Sequence, residues 1–239
     1  ILARNFWDAY DCFASGIQLP LPVPQSNYSL FSQYEHELLN SKDGEIHMKY
    51  WKDNLRGGVE KLQLPFDKTT IPVDSPTSLS IDFLLDSQSL AEIKKYTRKL
   101  GINDSVFFLG ALKVLLYRYT GQNDILIGMP TMARPDSRFE NTIGYFANML
   151  PIRSVLTGSQ TVRNFLEKLQ VIVTNGLDHS LYPHVAIVRE LNRSSIDLLY
   201  QVSYAYQNFI DSEFQSGPQV IGRSLVTYIP EIRQGCDAL

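Results

Sequence analysis

Apolar positions in this chain switch between helical and alternating spacing, and the switches mark out its elements. Through residues 2–15, Leu2, Phe6, Ala9, Tyr10 and Phe13 share one helical face, and Gly16 ends the run. In the stretch IQLPLPVPQS, the three prolines Pro20, Pro22 and Pro24 impose an extended crossing segment. Residues Ser29–Leu39 and Glu45–Leu55 read as two helices broken near Lys42–Gly44, and Gly57 and Gly58 stop the second. Residues 56–76, rich in Gly, Pro and Asp, form a long surface connection. Alternation in SLSIDFLL, residues 78–85, predicts a strand.

Ser89–Leu100 is a charged amphipathic helix ended by Gly101, and the next segment begins with Asn103 or Asp104 as a cap. That segment, SVFFLGALKVLLYRYT, is apolar on most faces, which predicts a buried helix. Asp124–Pro130 is a short buried strand, residues 131–142 a polar loop, and residues 143–153, IGYFANMLPIR, the following strand. Thr161–Leu177 is a helix, and LYPHVAIVREL is a short helix opened by proline. LLYQVSYAYQNF, residues 198–209, is a long alternating strand; residues 210–224 are a loop and SLVTYIPEIRQ a final strand. Helices and strands interleave loosely, so the fold class is α/β, a mixed sheet flanked by helices.

Composition narrows the function. The 239 residues are 44% hydrophobic and 20% charged, enough for a substantial core. A net charge of -3 and a pI near 5.8, with no basic block, exclude a nucleic-acid or anionic-membrane surface. No apolar stretch approaches the roughly 20 residues of a membrane span. Cys12 and Cys236 stand alone near opposite ends, which fits a reducing, cytoplasmic setting better than a disulfide framework. His36, His47, His179 and His184 lack metal-ligand spacing, so no metal site is expected. Phosphate loops, G-x-S-x-G and G-x-G-x-x-G are absent from the sequence.

The polar residues of the strand at 143–153 are the first candidates for chemistry. Gly144 lets the backbone pass close to a neighbour. Asn148 offers a donor and an acceptor, either to a reactant or as the cap of a buried loop. Arg153 can pair a carboxylate. Tyr182 and Pro183 fit a helix start, with the proline in the first turn and the ring in the core.

The order of blocks is more specific than any single motif. NYSLFSQYE, then YWKDNLRGG with LQLPFDKTTIP, then LLYRYTGQNDILIGMP, then IGYFANMLPIRS, LYPHVAIVREL and LLYQVSYAYQNF, follow in turn. This succession resembles the condensation domains of nonribosomal peptide synthetases, from mid-domain almost to the end. Tyr28 and Phe31 take the places of the family's aromatic block. In HSLYPHV, His179, Tyr182 and Pro183 match the family, while His184 stands where phenylalanine is usual. In the last strand Leu199 and Gln201 match, and Leu198 replaces a usual proline.

The resemblance implies a chloramphenicol acetyltransferase-like fold of two lobes around a tunnel. The family's His-His-x-x-x-Asp-Gly motif is absent here, and the chain opens in what resembles the helix after it. Residues 1–239 therefore resemble the C-terminal, acceptor-side lobe: 1–76 a helical lead-in and connection, 77–239 a sheet-and-helix lobe with a floor loop near 131–146. On that resemblance Gly144, Tyr145, Phe146, Asn148, Arg153, His179, Tyr182, Pro183 and Gln201 are tunnel or family-motif residues, with no catalytic residue in this chain. Arg153 would then pair across the lobe joint. The implied reaction joins a carrier-bound acyl or peptidyl thioester to a carrier-bound amine, and the chain alone would be inactive. The implied partners are the N-terminal lobe, donor and acceptor peptidyl carrier domains and an adenylation domain. No cofactor binds directly; the carriers' phosphopantetheine arms enter the tunnel. A lobe of this kind leaves apolar surface uncovered, bordered by residues 125–132 and 143–150. Two other readings share the fold: a non-catalytic docking platform and an epimerisation domain, whose hallmark differs from GYFAN.

Overall fold

The structure, a computed structural model, describes residues 2–17, 25–58, 60–65, 80–191, 199–207, 219–221 and 224–226. Seven α-helices are described: α1 (Leu2–Ala14), α2 (Tyr28–Leu39), α3 (Lys42–Asn54), α4 (Ser87–Leu100), α5 (Asp104–Thr120), α6 (Val162–Asp178) and α7 (His184–Glu190). The strands are β1 (Asp124–Met132), β2 (Ala147–Val155), β3 (Gln219–Ile221) and β4 (Ser224–Val226). The fold is the expected mixture of helix and sheet. The prolines at 20, 22 and 24, most of the connection at 56–76, and the final strand beyond residue 226 lie outside the described residues.

Contacts along the chain divide it into two compact units. One comprises Ile1–Glu37, Arg134–Phe146 and Tyr206–Ile232; the other comprises Leu38–Ala133, Ala147–Ala205 and Arg233–Leu239.

The second unit is built on an antiparallel pair. β1 and β2 run from Asp124 opposite Val155 to Met132 opposite Ala147. Ile125, Ile127, Leu150 and Ile152 are almost wholly buried in a core shared with Trp51, Leu109, Leu169 and Ile187. Three of the helices around this core begin with a side chain that satisfies an otherwise orphaned amide. Asp86 accepts from the amide of Ser89, Ser41 from Gly44, and Thr161 from Asn164. The sequence placed the break between α2 and α3 at Lys42–Gly44. The Ser41 cap shows why it falls earlier, at Asn40–Ser41, with Lys42–Gly44 already in the first helical turn.

α5 carries a lysine in its apolar body. Lys113 is fully buried, and its Nζ donates to the carbonyl oxygens of Ile125 on β1 (2.8 Å) and Ile152 on β2 (2.9 Å). Burial lowers its pKa from 10.5 to about 7, with Asp124 acting in the other direction. Two N–H donors to two carbonyls is what a neutral amine can supply.

Two predicted strands turn out differently. Residues 80–85 have no regular secondary structure and no ladder partner among the described residues; Phe83 is 88% and Leu84 101% exposed. Residues 199–207 join the sheet through one parallel bridge, Gly128 with Ser203. Around it the Gly128 amide donates to Val202 and the Tyr204 amide to Gly128. In both segments alternation reports which side chains share a face, but a ladder also needs a neighbouring backbone in register.

The first unit holds α1, α2 and the loop 134–146, with the short antiparallel pair β3–β4. Leu2, Phe6, Tyr10, Phe13 and Ile17 form an exposed apolar stripe along α1 and just past it, with Phe13 85% exposed.

Candidate functional site

The residues that the sequence places on one strand, 143–153, fall into two separate groups, one in each unit: β2 starts only at Ala147, so Gly144, Tyr145 and Phe146 belong to the loop before it. In the first, the loop 134–146 is closed around an aromatic cluster of Phe31, Phe139 and Phe146, all buried. Phe31 and Phe146 lie 4.5 Å apart between ring centres, and the Arg134 guanidinium sits 3.9 Å over the Phe146 ring. The same guanidinium donates to the carbonyls of Phe139 and Thr142, which ties both ends of the loop's turn to one side chain. Tyr28 packs edge-on against Phe146, and its hydroxyl donates to the Tyr145 carbonyl at 2.9 Å. Gly144 lies under the Tyr28 ring, and any Cβ there would collide with that ring. Tyr145 itself is exposed.

In the second unit, Asn148 near the start of β2 is 8% exposed and uses every polar function of its amide within this chain. Nδ2 donates to the carbonyls of Ser180 (2.7 Å) and Tyr182 (2.8 Å). Oδ1 accepts from the amides of Met149 (3.0 Å) and His184 (2.9 Å). Asn148 thus holds the turn between α6 and α7, and of the two roles open to it in the sequence this geometry is the loop cap. Pro183 is the residue before α7, at φ -62 and ψ 134, and Tyr182 is buried in the core.

The turn is gripped from a second side. Trp51 Nε1 on α3 donates to the His179 carbonyl at 3.2 Å. His47, one turn earlier, brings its Nδ1 to 2.7 Å from the His179 Nδ1. Tyr50 stacks on the His179 ring at 3.9 Å with 14° between planes. His184 starts α7 with its ring tilted against Tyr200, 5.7 Å between centres, and its buried Nδ1 has no hydrogen-bond partner among the described residues. Burial pushes its pKa down, partly offset by the nearby Met149 backbone. Tyr200 in turn covers Gly128, where a Cβ would strike the ring.

Arg153 sits at the other end of β2 and takes no part in that turn. Its Nε and Nη2 grip Asp124 on the adjacent strand, with Nη2 to Oδ2 at 2.7 Å, and Nη1 donates to the carbonyls of Asn54 and Arg56. The Asp124 hydrogen bonds raise the pKa of its guanidinium. The carboxylate it pairs with therefore belongs to its own sheet. An open cleft of about 660 Å³ lies beside Asp124, lined by Gly57, Glu60, Gly121 and Gln122 among others. Gln201 stands apart again, its Oε1 accepting from the Leu62 amide at 2.9 Å.

The expected uncovered borders are partial. Ile125, Leu126, Ile127 and Leu150 are buried, whereas Met132, Ile143 and Tyr145 are each more than half exposed. Sequence reasoning passed over three contributors: Lys113, Trp51 and His47. Lys113 had a local signal, as the lone charge between Asp104 and Arg118. His47 and Trp51 had none, because their partners lie far along the chain.

The comparison with known proteins is specific. The condensation domain family matches residues 1–231. The chain belongs to that family. It is 39% identical to polyketide synthase PksN of Bacillus subtilis (strain 168) over 98% of its own length and 4% of that protein's. It is 32% identical to a linear gramicidin synthase of Brevibacillus parabrevis over 87% of the chain and 4% of that protein. This condensation chain therefore spans only a small part of those relatives. Among solved structures, the X-domain from teicoplanin biosynthesis matches with a TM-score of 0.73 at 23% identity, covering 82% of this chain and 45% of that one. The condensation domain of the Monacolin K polyketide synthase MokA matches with a TM-score of 0.63 at 22% identity, covering 86% and 47%. These likenesses establish the chloramphenicol acetyltransferase-like fold. Among the described residues, no single helix is long and apolar enough to cross a membrane.

Proposed function

We propose that this condensation chain serves as the acceptor-side lobe of a domain that forms an amide between two carrier-bound substrates. The observation that carries the reading is one of coverage. The family match spans nearly the whole chain, yet the chain accounts for 45% and 47% of the two solved relatives above, and it lacks the His-His-x-x-x-Asp-Gly motif. The exposed apolar stripe of α1 supports it too, since such a stripe is what a helix shows when its packing partner is absent.

In the proposed reaction the acceptor amine attacks the donor thioester carbonyl, the new C–N bond forms and the C–S bond breaks. The donor arm leaves as a thiol, taking up the proton the amine gives up. A histidine of the partner lobe would orient or deprotonate the amine and steady the tetrahedral intermediate, and holding both arms in one tunnel supplies proximity. The loop 134–146 is proposed as the tunnel floor. The partners are then the N-terminal lobe, donor and acceptor carriers bearing phosphopantetheine, and an adenylation domain. The relatives include a polyketide synthase and a linear gramicidin synthase, which supports a ketide-type or peptidyl acyl group as the donor.

The test loads both carriers and follows amide formation by mass spectrometry, first with this chain alone and then with the chain joined to its N-terminal lobe. Amide is expected only in the joined protein. Turnover by the chain alone would refute the lobe assignment; a joined protein that binds carriers but never forms amide would point to a docking platform.

A further inference from the structure

The contact between His47 and His179 is used by none of the chemistry above, and it has properties of its own. The two Nδ1 atoms are 2.7 Å apart with the ring planes at 84°, a hydrogen bond in which one nitrogen carries the proton and the other accepts it. It closes α3 onto the turn after α6. Two other ties span the same junction: the Trp51 indole on the His179 carbonyl, and the Lys52–Glu190 ion pair at 2.8 Å between α3 and α7. Neither of those ties has two ring nitrogens sharing one proton. The histidine pair does.

We propose that His47 and His179 form a proton-sensitive clasp that holds α3 on the α6–α7 turn and lets go when the pair takes up a second extra proton. The limit comes from counting hydrogens. The neutral pair has one N–H between the rings, and a first added proton can sit on an outward Nε2 while the Nδ1–H···Nδ1 bond survives. The next must occupy the accepting Nδ1, which sets two N–H groups and two positive charges head-on at hydrogen-bond distance.

The surroundings decide which way the balance falls. From α3, Asp43 favours charge on His47; from the end of α6, Asp178 favours charge on His179. Tyr50 lies flat against His179, and the Lys52–Glu190 pair sits on the α7 side. Burial outweighs the aspartates at both rings, and the charge of His47 depresses His179 further, so both pKa values lie below the ordinary imidazole value. The sign follows. A group whose folded pKa is below its unfolded one gives stability that is full above the unfolded value, near 6.5, and is lost as pH falls below it. With one proton fewer bound in the closed clasp than in the unfolded chain, the folded-to-unfolded ratio falls by up to about tenfold per pH unit in that window.

The experiment measures the denaturant midpoint of the full chain at about pH 7.5 and about pH 5.5, with wild type and His47→Gln side by side. Glutamine can still bond His179 but cannot take a charge. The wild type is expected to lose up to about tenfold more in folded-to-unfolded ratio than His47→Gln over that span. Equal acid losses would overturn the proposal. A second measurement needs no variant: the imidazole nitrogen resonances of wild type, followed against pH. Linked titration of the two Nδ1 signals below the ordinary value supports the clasp, and two independent titrations near 6.5 would overturn it.

Discussion

Asn148→Ala should cost this chain much of its stability and leave the proposed amide formation by the joined domain largely intact. The side chain leaves behind three turn groups that it alone satisfies among the contacts described: the Ser180 and Tyr182 carbonyls and the His184 amide. A buried polar group stripped of its partner costs about 1–3 kcal/mol. The turn is only partly buried at Ser180 and His184, so water can reach part of the gap, and the sum is nearer about 2–4 kcal/mol than the arithmetic maximum. For a chain of this size that is a fall in melting midpoint of about 4–16 °C. Asn148→Asp should be worse than alanine, since a carboxylate oxygen would then face two carbonyl oxygens where an N–H₂ had stood. The assay is thermal melting of the three proteins, paired with single-turnover amide formation by the joined domain at a temperature where all are folded. An alanine variant that melts within a degree or two of wild type would refute the reasoning. So would an aspartate variant more stable than alanine, or an alanine variant with wild-type melting and collapsed turnover. The last outcome would return Asn148 to the reactants.

Three further outcomes follow from other side chains. Lys113 is depressed to about 7, so the folded state resists its proton more than the unfolded chain does; stability should rise with pH from about 7 towards 10.5, and Lys113→Met should abolish that rise in denaturant titrations. Gly144→Ala forces a methyl into the Tyr28 ring and should cost about 1–3 kcal/mol by chemical denaturation. Arg153→Lys keeps the charge but loses the fork on Asp124 and the two carbonyl contacts, and should lower stability by about 1–2 kcal/mol with the unfolding slope unchanged.

The parts of this fold that were legible in the sequence are those decided locally. The apolar body of α5, the Thr161 start of α6 and the paired runs of β1 and β2 each carry their signal within a few neighbours. Residues 80–85 and 199–207 were misread as full strands because pairing is settled elsewhere in the chain. The candidate site divides in the same way. Asn148 is conspicuous as an amide inside an apolar strand, but which groups it serves depends on a turn brought to it by α6. Arg153 announced a carboxylate partner, and nothing nearby in the chain said that it would be Asp124. His47 and His179 are each unremarkable alone; their meaning lies in a distance that only folding creates.

The Tyr28 ring and the bare backbone of Gly144 amount to a single choice written at two distant places. A chain descended from this one can enlarge residue 144 only after residue 28 has become smaller, and the reverse order passes through a damaged intermediate. The two positions should therefore drift together among descendants, and in a randomised library the survivors with a side chain at 144 should be those that have given up the aromatic ring at 28.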